Sequence, residues 1–286
     1  ILSGALADVR VSASALANSL SVTRGELAQA PVHRVSGNRA SDVVATGGGA
    51  AANSLWLDNA TERAGSVLLA GNTAEQVRTA GASGSVGGGL VGGFERNGRA
   101  LANTTVADHQ STLERAAITL AGNQAKSVTG SGGLAAANSA MVTEGRVQGT
   151  TLTLSANSAA NVQSTGYAAQ AGGGLLFSAS QQSAALANAL AVTGSQLDAP
   201  TLAIAGNTAS ALNARGGALV ANSVALENGS GAPSQLSAGG SLVGNTARDM
   251  GTTADSVSGA GGLASRESRA RAAANALVLH DGALVD

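Results

Sequence analysis

Short alanine–asparagine and glycine–asparagine strings return along this chain at a fixed interval of about 85 residues, and no single compact core suits such a recurrence. One string reads Leu16-Ala17-Asn18-Ser19-Leu20. It returns as Ala52-Asn53-Ser54, Ala102-Asn103-Thr104, Ala137-Asn138-Ser139, Ala187-Asn188-Ala189, Ala221-Asn222-Ser223 and Ala274-Asn275-Ala276. A second string interleaves with it. It reads Ala70-Gly71-Asn72-Thr73-Ala74, Ala121-Gly122-Asn123-Gln124-Ala125, Ser155-Ala156-Asn157-Ser158-Ala159 and Ala205-Gly206-Asn207-Thr208-Ala209. Weaker copies stand at Asn38 and Asn245.

The arithmetic is regular. Asn18 to Asn103, Asn103 to Asn188, Asn38 to Asn123 and Asn53 to Asn138 are four equal steps, each one full interval. Within one unit the asparagine steps run 20, 15, 19 and 31. Superrepeats then fall at 1–85, 86–170 and 171–258, with a partial fourth at 259–286, in one repeat domain over 1–286. A unit holds five turns of about 17 residues if the long step is two short ones, or four unequal turns if it is one. The 40 glycines obey the same interval, with clusters at 47–49, 132–133 and 216–217, and again at 87–89, 172–174 and 261–262. They mark corners of a unit and not a flexible linker.

Between the corners, large apolar residues alternate with small or polar ones. Ile118-Thr119-Leu120-Ala121, Leu152-Thr153-Leu154-Ser155 and Leu202-Ala203-Ile204-Ala205 all show a period of two, which specifies a strand with one face inward. Each run meets Gly or Asn, the residues that tolerate positive φ. Alanine's helix propensity argues the other way, and glycines at fixed corners outweigh it. The expected fold is all-β: a β-solenoid, or β-helix, of short strands with about 17–20 residues per turn. Stacked at about 4.8 Å, seventeen turns make a rod of roughly 80 Å. Asn18, Asn38, Asn53, Asn72, Asn103, Asn123, Asn138, Asn157, Asn188, Asn207, Asn222, Asn245 and Asn275 are the expected corner residues, each amide donating to the next carbonyl in a column.

Composition narrows the rest. Aromatics are 1% of the chain, so the apolar content is mostly Ala, Leu and Val, which suits a thin interior. A net charge of −1 leaves no electrostatic grip on nucleic acid or anionic lipid. No apolar run approaches the roughly 20 residues of a membrane helix. The absence of Cys suits an extracellular protein without thiols.

The strings Val-Leu-Leu-Ala-Gly-Asn-Thr-Ala at 67–74 and Leu-Ala-Ile-Ala-Gly-Asn-Thr-Ala at 202–209 resemble those of secreted bacterial β-solenoids, namely autotransporter passengers and filamentous-haemagglutinin-type adhesins. The Gly-Asn-x-Ala strings and small residues are also similar to curli-type and Fap-type functional amyloid repeats, without the fixed glutamine and serine of curlin. The resemblance implies export, a structural role at the cell surface, and no transferable functional residue.

Candidate chemistry is sparse. Gly87-x-Gly89-x-x-Gly92 matches a dinucleotide pattern but needs a strand before it and a helix after it. His33, His109 and His280 lack metal-ligand spacing and read as solvated loop histidines. His109 follows Asp108, yet neighbours on a strand point to opposite faces. The aspartates, Asp58 and Asp108 among them, read as dispersed. Glu95-Arg96 and Arg266-Glu267 are the closest charge groupings and read as exposed insertions. Trp56, Phe94, Tyr167 and Phe177 share no common register, so lateral packing outranks ligand stacking. No catalytic, cofactor-binding or metal residue is assigned, and no cofactor and no enzymatic activity are expected.

Neither end reads as a cap: residues 1–17 align with 86–102, and 259–286 are an ordinary partial unit. A fragment of a longer rod and a fibre subunit both fit. The expected function is a secreted bacterial structural protein that assembles head to tail with itself into an extracellular fibre or biofilm-matrix filament. Matrix polysaccharide or the cell surface is a second partner, with no nucleic acid and no membrane span. The alternative is the rod-like passenger of a cell-surface adhesin.

Overall fold

The computed structural model describes residues 6–9, 14–28, 32–46, 48–63, 66–80, 85–87, 91–94, 98–114, 117–131, 133–149, 151–165, 170–172, 176–179, 184–215, 218–227, 234–253, 258–260, 263–266, 271–280 and 284–285. All regular structure among them is β, every strand pairing is parallel, and the strands stack into a β-solenoid. No helix among the described residues is long and apolar enough to cross a membrane.

Four walls make the coil. The first contains Ser14–Ala17, Gly49–Ala52, Gly98–Ala102, Gly133–Ala137, Ala184–Ala187, Ala218–Ala221 and Arg271–Ala274. The second runs from Leu20–Thr23 through Leu55–Asp58, Thr105–Asp108, Ala140–Thr143, Leu190–Thr193 and Val224–Glu227 to Leu277–His280. The third has two short strands in each early coil, such as Thr61–Arg63 and Ser66–Ala70, and one long strand later, Gln196–Ala205. Its register shifts between Ala199 and Leu202, around Pro200, which has no N–H for the ladder. The fourth is built from Thr73–Ala80, Gln124–Ser131, Ser158–Thr165, Thr208–Arg215 and Thr246–Thr253, with two short strands in the first coil.

Register corrects the expected turn length. Leu20 pairs with Leu55, Leu55 with Thr105, Thr105 with Ala140, and Ala140 with Leu190. The sequence separation from coil to coil is therefore alternately 35 and 50 in the first coils and 34 and 53 in the last, and the expected 17–20 is too short. One short and one long coil together make one period of the repeat. The 20- and 15-residue asparagine steps are half-coils, because each coil has an asparagine at two corners. Among the described residues seven coils are linked by six steps, which rise about 29 Å, not 80 Å. The longer coils carry two further strands. Those at Ser85–Gly87, Gln170–Gly172 and Ser258–Ala260 pair with one another, as do those at Leu6–Val9, Val91–Phe94, Leu176–Ala179 and Leu263–Arg266.

The interior divides by side-chain size. Between the first and fourth walls it is alanine-rich, with Ala50, Ala52, Ala100, Ala102, Ala74 and Val77 fully buried. Between the second and third walls it is built of Leu, Ile and Val, including Leu55, Leu57, Leu69, Ile118 and Leu154. Backbones approach closely on the alanine side. A Cβ on Gly133 would lie 1.9 Å from the Gly98 carbonyl oxygen, and one on Gly130 would lie 2.3 Å from that of Leu134.

Candidate functional site

The sequence-predicted asparagines form two columns. In the first, Nδ2 of Asn18 donates to Oδ1 of Asn53 at 3.1 Å. The chain of donations continues through Asn103, Asn138, Asn188 and Asn222 to Asn275, at 2.9–3.1 Å. Each of these asparagines turns the corner itself, with φ between 48° and 51°. The same Nδ2 reaches across its coil to a carbonyl of the fourth wall, as Asn53 does to Thr73 and Asn138 to Ser158. The five from Asn53 to Asn222 are fully buried.

The second column joins Asn72, Asn123, Asn157, Asn207 and Asn245, again Nδ2 to Oδ1 at 3.1 Å. Asn38 joins through its backbone N–H, which donates to Asn72 Oδ1. Here the preceding residue takes positive φ: Gly37, Gly71, Gly122, Gly206 and Gly244, with Ala156 in the one exception. Each Nδ2 also donates to the third wall of the previous coil, as from Asn123 to Leu69 O. Both columns thus satisfy buried amides completely while tying coil to coil.

A hydroxyl thread that the sequence reading missed accompanies the first column. The backbone N–H of Thr104 donates to Ser54 Oγ, and that of Ala276 to Ser223 Oγ. Its signal was the Ser or Thr following Asn in most of the strings.

The outward faces of the first and second walls turn toward each other, since Leu101 and Leu186 of one cluster with Val106 and Met141 of the other. A charged group lies in this re-entrant corner. Asp58 and Asp108, read as dispersed, are register partners on adjacent coils, because the coil between them is one of the long ones. Arg99 comes from the first wall to pair with Asp108, which is 1% exposed, and its guanidinium lies 5.5 Å from the centre of the Trp56 ring. Gly49 makes room for Trp56, since a Cβ there would meet the ring at 2.7 Å. His109 Nδ1 lies 2.8 Å from Asp58 Oδ1 and 3.5 Å from Asp108 Oδ2. His109 therefore has carboxylate partners and is not merely solvated. It reaches Asp108 despite being its neighbour because φ of 47° turns the chain there.

His33 differs more sharply from expectation. It lies in the strand His33–Ser36 with its side chain 16% exposed, 3.1 Å from Glu62, which is 1% exposed. Burial raises the Glu62 carboxyl above the usual carboxylate range, and the charge of His33 opposes that in part.

Among the described residues no helix follows Gly87 and Gly92, which lie in the strands Ser85–Gly87 and Val91–Phe94. Among the described residues no group of three or more His, Asp or Glu could hold a metal ion. Tyr167, Glu95, Arg96 and Glu267 lie outside the described residues, as do the side chains of Phe94, Phe177, Arg266 and His280. No protein-family model matches the chain, and no curated protein or solved structure matches it.

Proposed function

We propose that this chain is a structural rod of an exported bacterial surface or matrix assembly, extended by coil-on-coil stacking between copies. The observation that carries this reading is the common polarity of the two asparagine columns. At every side-chain link the amide N–H₂ donates toward the following coil and the carbonyl accepts from the preceding one. A further coil continues both columns only in the same orientation, so growth of this kind is head to tail. Leu20 and Leu277 in the outermost described coils are exposed, whereas their register partners Leu55 and Val224 on the next coil inward are buried. A stacked coil would cover such side chains.

The alternative, the passenger rod of a surface adhesin, is favoured by the extra strands on alternate coils, which give a regularly spaced place for contact. Sedimentation over a concentration series, with electron microscopy and fibre diffraction of the same material, separates the two. The assembly reading expects concentration-dependent filaments with a reflection at about 4.8 Å along the fibre axis. Monomer of 27.4 kDa at every concentration, without filaments, overturns it and leaves the adhesin rod.

A further inference from the structure

Glu62 and His33 occupy positions that other coils fill with apolar side chains. The column through Glu62 continues as Leu113, Val147, Leu197 and Leu236. The column through His33 continues as Val67, Ile118, Leu152 and Leu202. The two ionisable groups lie on consecutive coils, 3.1 Å apart. Their contact is a close approach of charges not aligned as a hydrogen bond, and neither Glu62 oxygen nor His33 Nε2 has a hydrogen-bond partner elsewhere.

Among the described residues the surroundings supply no other charge. Val22, Val35, Leu57, Val67, Leu69 and Leu113 make up the adjoining apolar cluster. The charged residues on the strands around the pair face the other way. Arg63 and Glu26 pair with each other on the outer surface, Arg34 is exposed, and Glu114 alternates with inward Leu113.

We propose that Glu62 and His33 make the junction between the first two coils a proton-dependent joint, closed while the pair holds one proton and loosened once that proton is removed. With one proton the pair is neutral overall, as imidazolium with carboxylate or imidazole with carboxylic acid. Without it, a bare carboxylate remains in a wall of Leu and Val, beside a neutral imidazole whose contact with it is not aligned as a hydrogen bond. The direction agrees with the raised Glu62: a carboxyl that holds its proton more tightly when folded stabilises the fold at acidic pH. That contribution is lost as pH rises through its folded value. Loosening would open the pairing of His33–Ser36 with Ser66–Ala70 and of Glu26–Ala28 with Thr61–Arg63.

Amide hydrogen exchange on the intact chain, corrected for intrinsic rates and followed over a pH series from about 4.5, the ordinary carboxyl value, up to about 9, tests the joint. Peptides from 26–46 are read against 98–165 as the internal control. The joint predicts that, as pH rises, protection in 26–46 falls severalfold more than in the control. The double variant Glu62→Leu with His33→Val carries the residue types of the other coils and should abolish the difference. Glu62→Gln, which keeps the shape without the titrating proton, should abolish it as well. An equal pH response in the wild type and either variant, or the same loss in all coils, overturns the proposal.

Discussion

Left-handed backbone positions show how much one residue decides here. The corner before the second asparagine column takes glycine in five coils and Ala156 in the sixth, at φ 52°. Nothing lies within 4 Å of a Cβ at Gly71, Gly122 or Gly206, so the obstacle to a side chain there is torsional and not steric crowding. An L-residue in that region costs about 1–2 kcal/mol, against up to about 1 kcal/mol of extra chain entropy for glycine. Ala156→Gly should therefore stabilise the chain by up to about 1 kcal/mol, and Gly122→Ala should destabilise it by a similar amount, by denaturant titration. The asparagines themselves are less replaceable. Asn123→Ala removes the acceptor for the backbone N–H and Nδ2 of Asn72 and the donor to Leu69 O. Leaving such groups unpaired in a dry interior should cost about 3 kcal/mol or more, visible as a lowered unfolding midpoint with unchanged m.

At the scale of the element, each wall is a parallel sheet whose neighbours come from distant sequence, and close approach decides what it tolerates. Gly133 and Gly98 meet across adjacent first-wall strands, so Gly133→Ala forces the backbone apart where the alanine interior leaves no slack. The expected outcome is a loss of at least about 2 kcal/mol, with exchange protection falling first in the strands Gly98–Ala102 and Gly133–Ala137. The Arg99–Asp108 pair fastens the first wall to the second across the re-entrant corner. Asp108→Ala leaves the largely buried guanidinium without its carboxylate. Arg99→Ala leaves the Asp108 carboxylate with His109 still beside it, so the aspartate change should cost more. A double-mutant cycle measures the coupling. These elements were partly legible beforehand. Period-two runs such as Ile118–Ala121 declared strands. Asp58 and Asp108 could not be recognised as neighbours, because nothing local indicates the length of the long coil.

For the molecule as a whole, stability is a sum over stacked coils and their interfaces, so what matters is whether the alternation of coil lengths is kept. Excising residues 103–187 joins Ala102 to Asn188 and restores a long-coil interval from Asn53 to the next column asparagine. This variant should fold with the same strand signature by circular dichroism and a smaller m-value. Excising 103–137 joins Ala102 to Asn138 and sets two long coils together, so the extra strands of both compete for one place. It should unfold at markedly lower denaturant, or fail to fold.

The sequence by itself determined the local facts: strands where apolar residues alternate, corners where Asn or Gly accepts positive φ, and the length of the repeat period. The first two follow from torsional preference and side-chain direction, which act within a few residues, and the third from counting between like strings. Only the tertiary structure decided that alternate asparagines belong to different columns, that two coils of unequal length make the period, and that Glu62 faces His33 inside the wall. Those depend on which distant strands share hydrogen bonds, and the two kinds of half-coil look alike until the chain has closed around its core.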